Sequence, residues 1–455
     1  MRRTLSLLTL PLLLAGCSTP PPEPLRTPLP TAETNAAETV ARPLPAAWWT
    51  AFRDPELDRL VAQARADNRD LWQAAARLDA AQARAKIAGA DAALQVTGSG
   101  GAGRQRSSEN TGVPVFKNPQ SQFSAGLRFA YEVDLWGRIR ASREAARQEV
   151  ELTAAERAAA EITLIAEVSK QHLGRLAIRR EAADLEKQIA RFAETEAIQA
   201  VRTDAGFATE LDLQRVRIEK GTREFELSQL REREQLLANS LAQLCGHGPE
   251  SAATNPVPGE AVTPEVPATL SLALLEGRPD VAAKRAGWEA SFQRVQAARA
   301  DFYPALRLSG TIGYEADRTR DLLDWQSRLW SLVAGVTAPV FDGGRLKGAL
   351  ALERAHLREA AAAYEAAVLT AYREVADALN TLRAVADQQG AAERVRDASQ
   401  RALALSRERY EKGFVTYLEV VESDRSLLAA QRTLIILQAR SQTATIDLIR
   451  ALGLP

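Results

Sequence analysis

Residues able to do chemistry are few in this chain. There are three histidines, His172, His247 and His356, and they stand far apart. None belongs to an HExxH pair or to a spaced set of metal ligands. One phosphate-cradle pattern occurs, Gly98-Ser99-Gly100-Gly101-Ala102-Gly103. Such a cradle needs a helix N-terminus behind it. Here Arg104-Gln105-Arg106-Ser107-Ser108 follows, so the glycines read as small residues at a strand end. Most carboxylates alternate with Arg and Lys at helical spacing, as solvated helix faces do. One acidic concentration stands out: Asp204, Glu210, Asp212, Glu419, Glu422 and Asp424. In a symmetric oligomer one inward carboxylate per chain becomes a ring, which favours cations and repels itself when a pore narrows. The same residues also read as ordinary charged helix termini. No catalytic constellation, metal site or cofactor is expected, and the chain does not read as an enzyme.

The elements that hold those residues come in two copies. Gly206-Phe207-Ala208-Thr209 returns as Gly413-Phe414-Val415-Thr416, and Gly137-Arg138-Ile139-Arg140 returns as Gly344-Arg345-Leu346-Lys347, each 207 residues on. A looser match joins residues 70–91 to 280–301. Repeats set architecture. Each copy reads helix, strand, long loop, strand, long helix, helix. The runs over residues 137–248 and 340–454 lack proline and are rich in Ala, Leu, Arg and Glu. A helix over 137–204 would be about 100 Å long, which points to coiled-coil-like packing. Gly206 and Gly413 mark breaks where a long helix turns back into a partner, over about 207–246 and 414–453.

The strands alternate. Phe123, Ala125, Leu127, Phe129, Tyr131, Val133 and Leu135 form one face, with Gln122, Ser124, Gly126, Arg128, Ala130, Glu132 and Asp134 on the other. Trp330, Leu332, Ala334, Val336, Ala338 and Val340 repeat the pattern, as do Leu306, Leu308, Ile312 and Tyr314; residues 94–103 are mostly glycine. An apolar face opposite a small or polar one fits a lipid-exposed barrel strand, and each strand taken singly also fits a half-buried soluble sheet. Four strands are too few to close a barrel, so several chains must combine.

Lys+Arg and Asp+Glu both number 58, which gives no electrostatic case for nucleic acid. No apolar run reaches the length of a spanning helix. Arg2 and Arg3, an apolar stretch over residues 5–14, and Leu14-Ala15-Gly16-Cys17 follow the order of a leader ending in a lipoprotein cleavage site. Residues 1–16 are then a signal peptide, Cys17 the lipidated first residue, and 17–45 a Pro-rich tether. By resemblance to bacterial lipoproteins, Ser18 implies sorting to the outer membrane. The single methionine, Met1, lies in the leader, so no methionine copper or silver site exists. Domain boundaries are set at 46–246 for the first repeat (hairpin about 94–136), 247–278 for a linker, and 279–455 for the second repeat (hairpin about 305–341).

Several motifs together resemble the outer-membrane factor family, the TolC-like exit ducts, and within it the lipidated multidrug-efflux branch. They are Trp48-Trp49-Thr50-Ala51-Phe52-Arg53-Asp54-Pro55-Glu56-Leu57, Tyr131-Glu132-Val133-Asp134-Leu135-Trp136-Gly137-Arg138, Arg278-Pro279-Asp280-Val281, Ala300-Asp301-Phe302-Tyr303-Pro304, and Ala338-Pro339-Val340-Phe341-Asp342-Gly343-Gly344-Arg345. The resemblance implies a mainly α fold with a membrane β-barrel: a homotrimer with a 12-stranded outer-membrane barrel continuous with a 12-helix periplasmic barrel. It implies an equatorial belt from residues 48–60 and 247–278. It makes the helix turns both gate and docking site for a periplasmic adaptor, which links to an inner-membrane pump. Leu418 and Glu422 fall at the gate. Glu422 stands where lipidated relatives often carry Asp, and Asp212 is the weaker first-repeat counterpart. Gly206, Phe207, Thr209, Gly413, Phe414 and Thr416 fall at the docking tips. The expected function is a passive exit duct for small molecules such as drugs. The alternatives are a type I protein or siderophore secretion duct and, in another class, a lipid-anchored coiled-coil envelope scaffold.

Overall fold

The computed structural model describes residues 47–108, 110, 118–249, 262–264 and 277–454. Cys17, the leader and the tether lie outside them, as does most of the linker. The elements are α1 (Pro55–Asp67), α2 (Arg69–Ala90), β1 (Gln95–Gln105), β2 (Gln120–Val133), α3 (Arg138–Asp204), α4 (Glu210–Leu244), α5 (Pro279–Ala300), β3 (Ala305–Ala316), β4 (Arg328–Thr337), α6 (Arg345–Glu411) and α7 (Tyr417–Ala451), with a short 3-10 helix at Trp48–Phe52. The duplication is kept to the residue: α3 and α6 both have 67 residues, α4 and α7 both have 35. The chain divides into two compact units, and each draws on both repeats.

The first unit takes residues 87–145 and 289–361 and holds the sheet. Its four strands run antiparallel in the order β1-β2-β3-β4. The glycine pattern lies inside β1, with no helix behind it. β4 ends at Thr337, short of the expected residue 341. Pro339 has no N–H to offer a ladder. β2 likewise stops at Val133, because Asp134 turns to cap α3. Its carboxylate accepts from the amides of Ile139 (3.1 Å) and Arg140 (2.9 Å). Asp342 repeats this for α6, accepting from Gly344 (2.9 Å) and Leu346 (2.8 Å). Those amides are the orphan donors of a helix start, and they hold the Asp342 pKa below its usual value.

The second unit holds the described parts of residues 29–86 together with 146–288 and 362–455. Its main core joins Trp48, Phe52, Leu57 and Val61 to Ile165, Val168 and Leu173 of α3, Leu241 of α4, and Ile446 and Ile449 of α7. Trp48 is fully buried, edge-on to Trp49 with centroids 6.0 Å apart. The returning helices are tied off by unlike residues at like places. Asn68 Nδ2 donates to Leu244 O (2.9 Å), and Arg278 Nη1 donates to Ala451 O (2.7 Å).

Asp54 caps α1 through the amides of Glu56 (2.9 Å) and Leu57 (3.3 Å), and it meets the buried His172 Nε2 at 2.8 Å. Burial opposes the carboxylate, yet the His172 hydrogen bond and charge and the two amides hold its pKa below the usual value. A carboxyl with a lowered folded pKa stabilises above its unfolded pKa, and that contribution is lost as pH falls through the folded value. Acid below the ordinary carboxylate range should therefore release the Trp48 segment, read as a change in tryptophan emission. Asp54→Asn should lose roughly 1–3 kcal/mol at neutral pH and show a weaker acid step. An acid step of wild-type size in that variant would assign it elsewhere.

Candidate functional sites: helix turns and sheet faces

Each long helix ends in a glycine with positive φ, +74° at Gly206 and +77° at Gly413. The chain then reverses through a six-residue closure: Phe207 N donates to Arg202 O (2.7 Å) and Phe414 N to Arg409 O (2.9 Å). Only glycine adopts that backbone at little cost. The closure throws both phenylalanines outward, Phe207 78% and Phe414 72% exposed. The two turns differ in their hydroxyls. Thr209 Oγ1 accepts from Asp212 N (3.2 Å) and donates to Asp212 Oδ2 (2.7 Å), so it is spent on capping α4. Thr416 makes no such side-chain bond at the start of α7.

Behind the turns, Tyr417, Val420 and Val421 pack with Phe192, Leu403 and Val216. Tyr410 and Tyr417 meet edge-on at 5.4 Å, and Gln199 Nε2 donates to the Tyr410 hydroxyl (2.9 Å). Burial pushes the Tyr417 phenol up to about 12. Leu418 lies on the other face of α7, 39% exposed, and the Glu422 side chain is 64% exposed with Arg425 3.9 Å away. The two thus share an uncovered face. The acidic concentration does not stay together. Asp424 turns into the packing, where burial raises its pKa against Arg407 at 3.6 Å. Asp212 lies 3.6 Å from Arg215.

On the sheet, the register aligns the apolar positions across all four strands. Val96, Phe129, Gly310 and Leu332 stand in one row, and Gly98, Leu127, Ile312 and Trp330 in the next. Trp330 is 80% exposed and Leu332 76%. An exposed apolar face of this extent is costly in water and suited to hydrocarbon. Trp136 stacks on Tyr303 (4.7 Å) where the strands end, and its indole N–H donates to Pro304 O (2.8 Å). Among the described residues no helix is long and apolar enough to cross a membrane, and no cluster of three or more His, Cys, Asp or Glu is placed to hold a metal.

The family model for outer membrane efflux proteins matches residues 60–247 and 270–454. The chain belongs to that family. It is similar to the pyoverdine export outer membrane protein OpmQ of Pseudomonas putida, 32% identical over 99% of this chain and 97% of the relative. It is also similar to the cation efflux system protein CusC of Escherichia coli, 28% identical over 92% and 90%. Among solved structures, VceC of Vibrio cholerae matches with a TM-score of 0.85 at 30% identity, covering 90% of this chain and 98% of that one. This outer membrane efflux protein is therefore a TolC-like outer-membrane channel, a helical barrel joined to a β-barrel, and an exit duct of the tripartite efflux class. The family works as a non-enzymatic duct and forms trimeric channels with an adaptor and an inner-membrane pump.

Sequence reasoning found the turns and the strand faces, but two features escaped it. The His172–Asp54 pair is one: Asp54 before Pro55 signals a cap, but nothing in the spacing joins it to a histidine 118 residues away. Arg278 is the other. It was legible only as part of a motif, without its buried partners.

Proposed function

We propose that three copies of this chain close one duct, with the Phe129 face toward lipid and the Arg128 face toward the lumen. One observation carries this: the sheet has apolar residues exposed along one face, and among the described residues β1 and β4 each pair on one side only. Unpaired edges demand partners. Two copies give eight strands, which fill with their own side chains; three give twelve and leave a passage. Exposed Leu211, Ile218 and Phe225, seven apart on α4, support helix contacts between copies as well. Cys17 anchors the chain by acylation, which the mass of the mature N-terminus decides.

In this reading the turns form the periplasmic gate and the adaptor's docking site. Three Leu418 side chains exclude water, and three Glu422 carboxylates follow. Asp212 is already engaged by Thr209 and Arg215, so the acidic ring rests on Glu422. Phe207 and Phe414, beside Gly206 and Gly413, offer the adaptor two exposed rings per chain, and Thr416 a free hydroxyl. The cargo is small: relatives are named for pyoverdine, toluene and cation efflux. The OpmQ match over nearly the whole chain favours siderophore export as the second reading. Leu418→Ala combined with Glu422→Ala should raise single-channel conductance severalfold in planar bilayers while the trimer mass in detergent is kept. Unchanged conductance on intact trimers would remove the gate. A monomeric or dimeric mass with native spectra would remove the shared duct.

A further inference from the structure

One charged side chain on the polar face of the sheet has no structural employment. Arg128 stands at the middle of β2, exposed, between Thr97 and Thr311, with Ser331 completing the row. Among the described residues it has no hydrogen-bond or ion-pair partner. The rows on either side are small at their centre and end in Leu329 and Val333 of β4. Gly126 lies between Ser99 and Gly313, and Ala130 between Gln95 and Ser309. The Gly126–Gly313 approach is close enough that a Cβ on Gly313 would stand 2.5 Å from Ala125 O, so neither position brings a side chain of its own beside Arg128. The carboxylates on this face are remote and engaged. Glu132 receives Arg138 at 2.7 Å and Arg307 at 3.3 Å, and Glu315 accepts from Gln122 at 2.7 Å. Each sits four residues from Arg128 along β2, or in the row opposite such a residue, roughly 13 Å away. That exceeds the screening length of about 8 Å at physiological salt.

We propose that Arg128 is a binding residue for anionic cargo inside the barrel: three guanidinium groups, one from each copy, form a ring that takes carboxylate- or phosphate-bearing solutes on their way out. The inference rests on the duct reading above and deepens it by naming a substrate class. A guanidinium offers a planar fork of donors that matches carboxylate and phosphate oxygens in pairs, and rings of Arg or Lys are the means by which pores favour anions. Gly126, Gly313 and Ala130 beside it leave the fork accessible from the lumen.

The test uses the wild-type protein in planar bilayers, with tripolyphosphate added to the side of the hairpin loops. It should block the current, and the block should weaken steeply as salt rises. An uncharged sugar of similar size should not block. Arg128→Gln should weaken the block at least tenfold, Arg128→Lys should retain most of it, and Arg307→Gln, whose charge is already engaged by Glu132, should leave it within twofold. Equal block in Arg128→Gln and wild type, or an equal loss in Arg307→Gln, would overturn the assignment. Should Arg128→Gln fail to assemble, a wild-type block without salt dependence overturns it on its own. A folded trimer that conducts nothing would instead bring down the duct reading beneath it.

Discussion

Arg278→Ala should unfold the helical unit more readily than any substitution at its surface. The Arg278 side chain is 3% exposed and holds three elements together. It donates to Ala451 O (2.7 Å) at the end of α7, to Asp280 (2.7 Å) in the first turn of α5, and to Glu374 (2.8 Å) of α6. Removing it strands a helix-terminal carbonyl and leaves Asp280 without its cation. Burial works against the Asp280 carboxylate, and Arg278 outweighs it, so the folded pKa lies below the usual one. Asp280 is half-exposed, so the cost falls mainly on the stranded carbonyl and the Glu374 contact, about 1–3 kcal/mol. Arg450, 3.2 Å from Glu374, offsets part of that for one carboxylate only. Arg278→Lys keeps the charge but not the fork, so it should fall between. Denaturant unfolding of the purified protein gives the number. A loss under about 0.5 kcal/mol, the scale of a surface change, would show that the Arg278 contacts stabilise nothing.

Phe129→Arg should be the most damaging change in the sheet, far worse than Arg128→Phe one residue away. Phe129 shares its row with Val96 and Leu332, on the face read as lipid-exposed. Near the bilayer midplane an arginine on that face costs roughly 2–4 kcal/mol. Arg128→Phe places a ring on the opposite face, where Thr97 and Thr311 flank it and no partner is lost. The amount of assembled protein in outer-membrane fractions distinguishes the two. Equal yields would mean that the faces are assigned the wrong way round.

How much of this was legible beforehand follows the range of the forces involved. Alternation along β2 is a local property, so Phe129 and Arg128 could be sorted by face from sequence alone. The glycines at 206 and 413 were legible because a left-handed backbone has a narrow choice of residue. Strand ends were less so. Asp134 and Asp342 read as strand continuations or loop residues until their carboxylates are seen on helix amides. Tertiary pairing was hidden. Asp424 and Glu422 stand two apart and look alike as letters, yet one is packed beside Arg407 and the other is open. His172 and Asp54 find each other only because the Trp48 segment folds onto α3. A sequence shows which residues are charged. Only the packing shows which of them are already spoken for.

The matched helix lengths, 67 with 67 and 35 with 35, carry a consequence for how such a gene can change. Losing one residue from a helix shortens it by about 1.5 Å and rotates everything beyond by about 100°. A deletion in α3 alone would swing Phe192 out of the cluster that Leu403 and Tyr417 build from the other copy. The two copies are thus free to drift apart in letters, as Asn68 and Arg278 have done, while remaining bound to each other in count. Insertions and losses should survive in the hairpin loops and the linker. Within the helices they should survive only in pairs, one in each half of the gene, so that a change of length on one side becomes heritable when the other side has answered it.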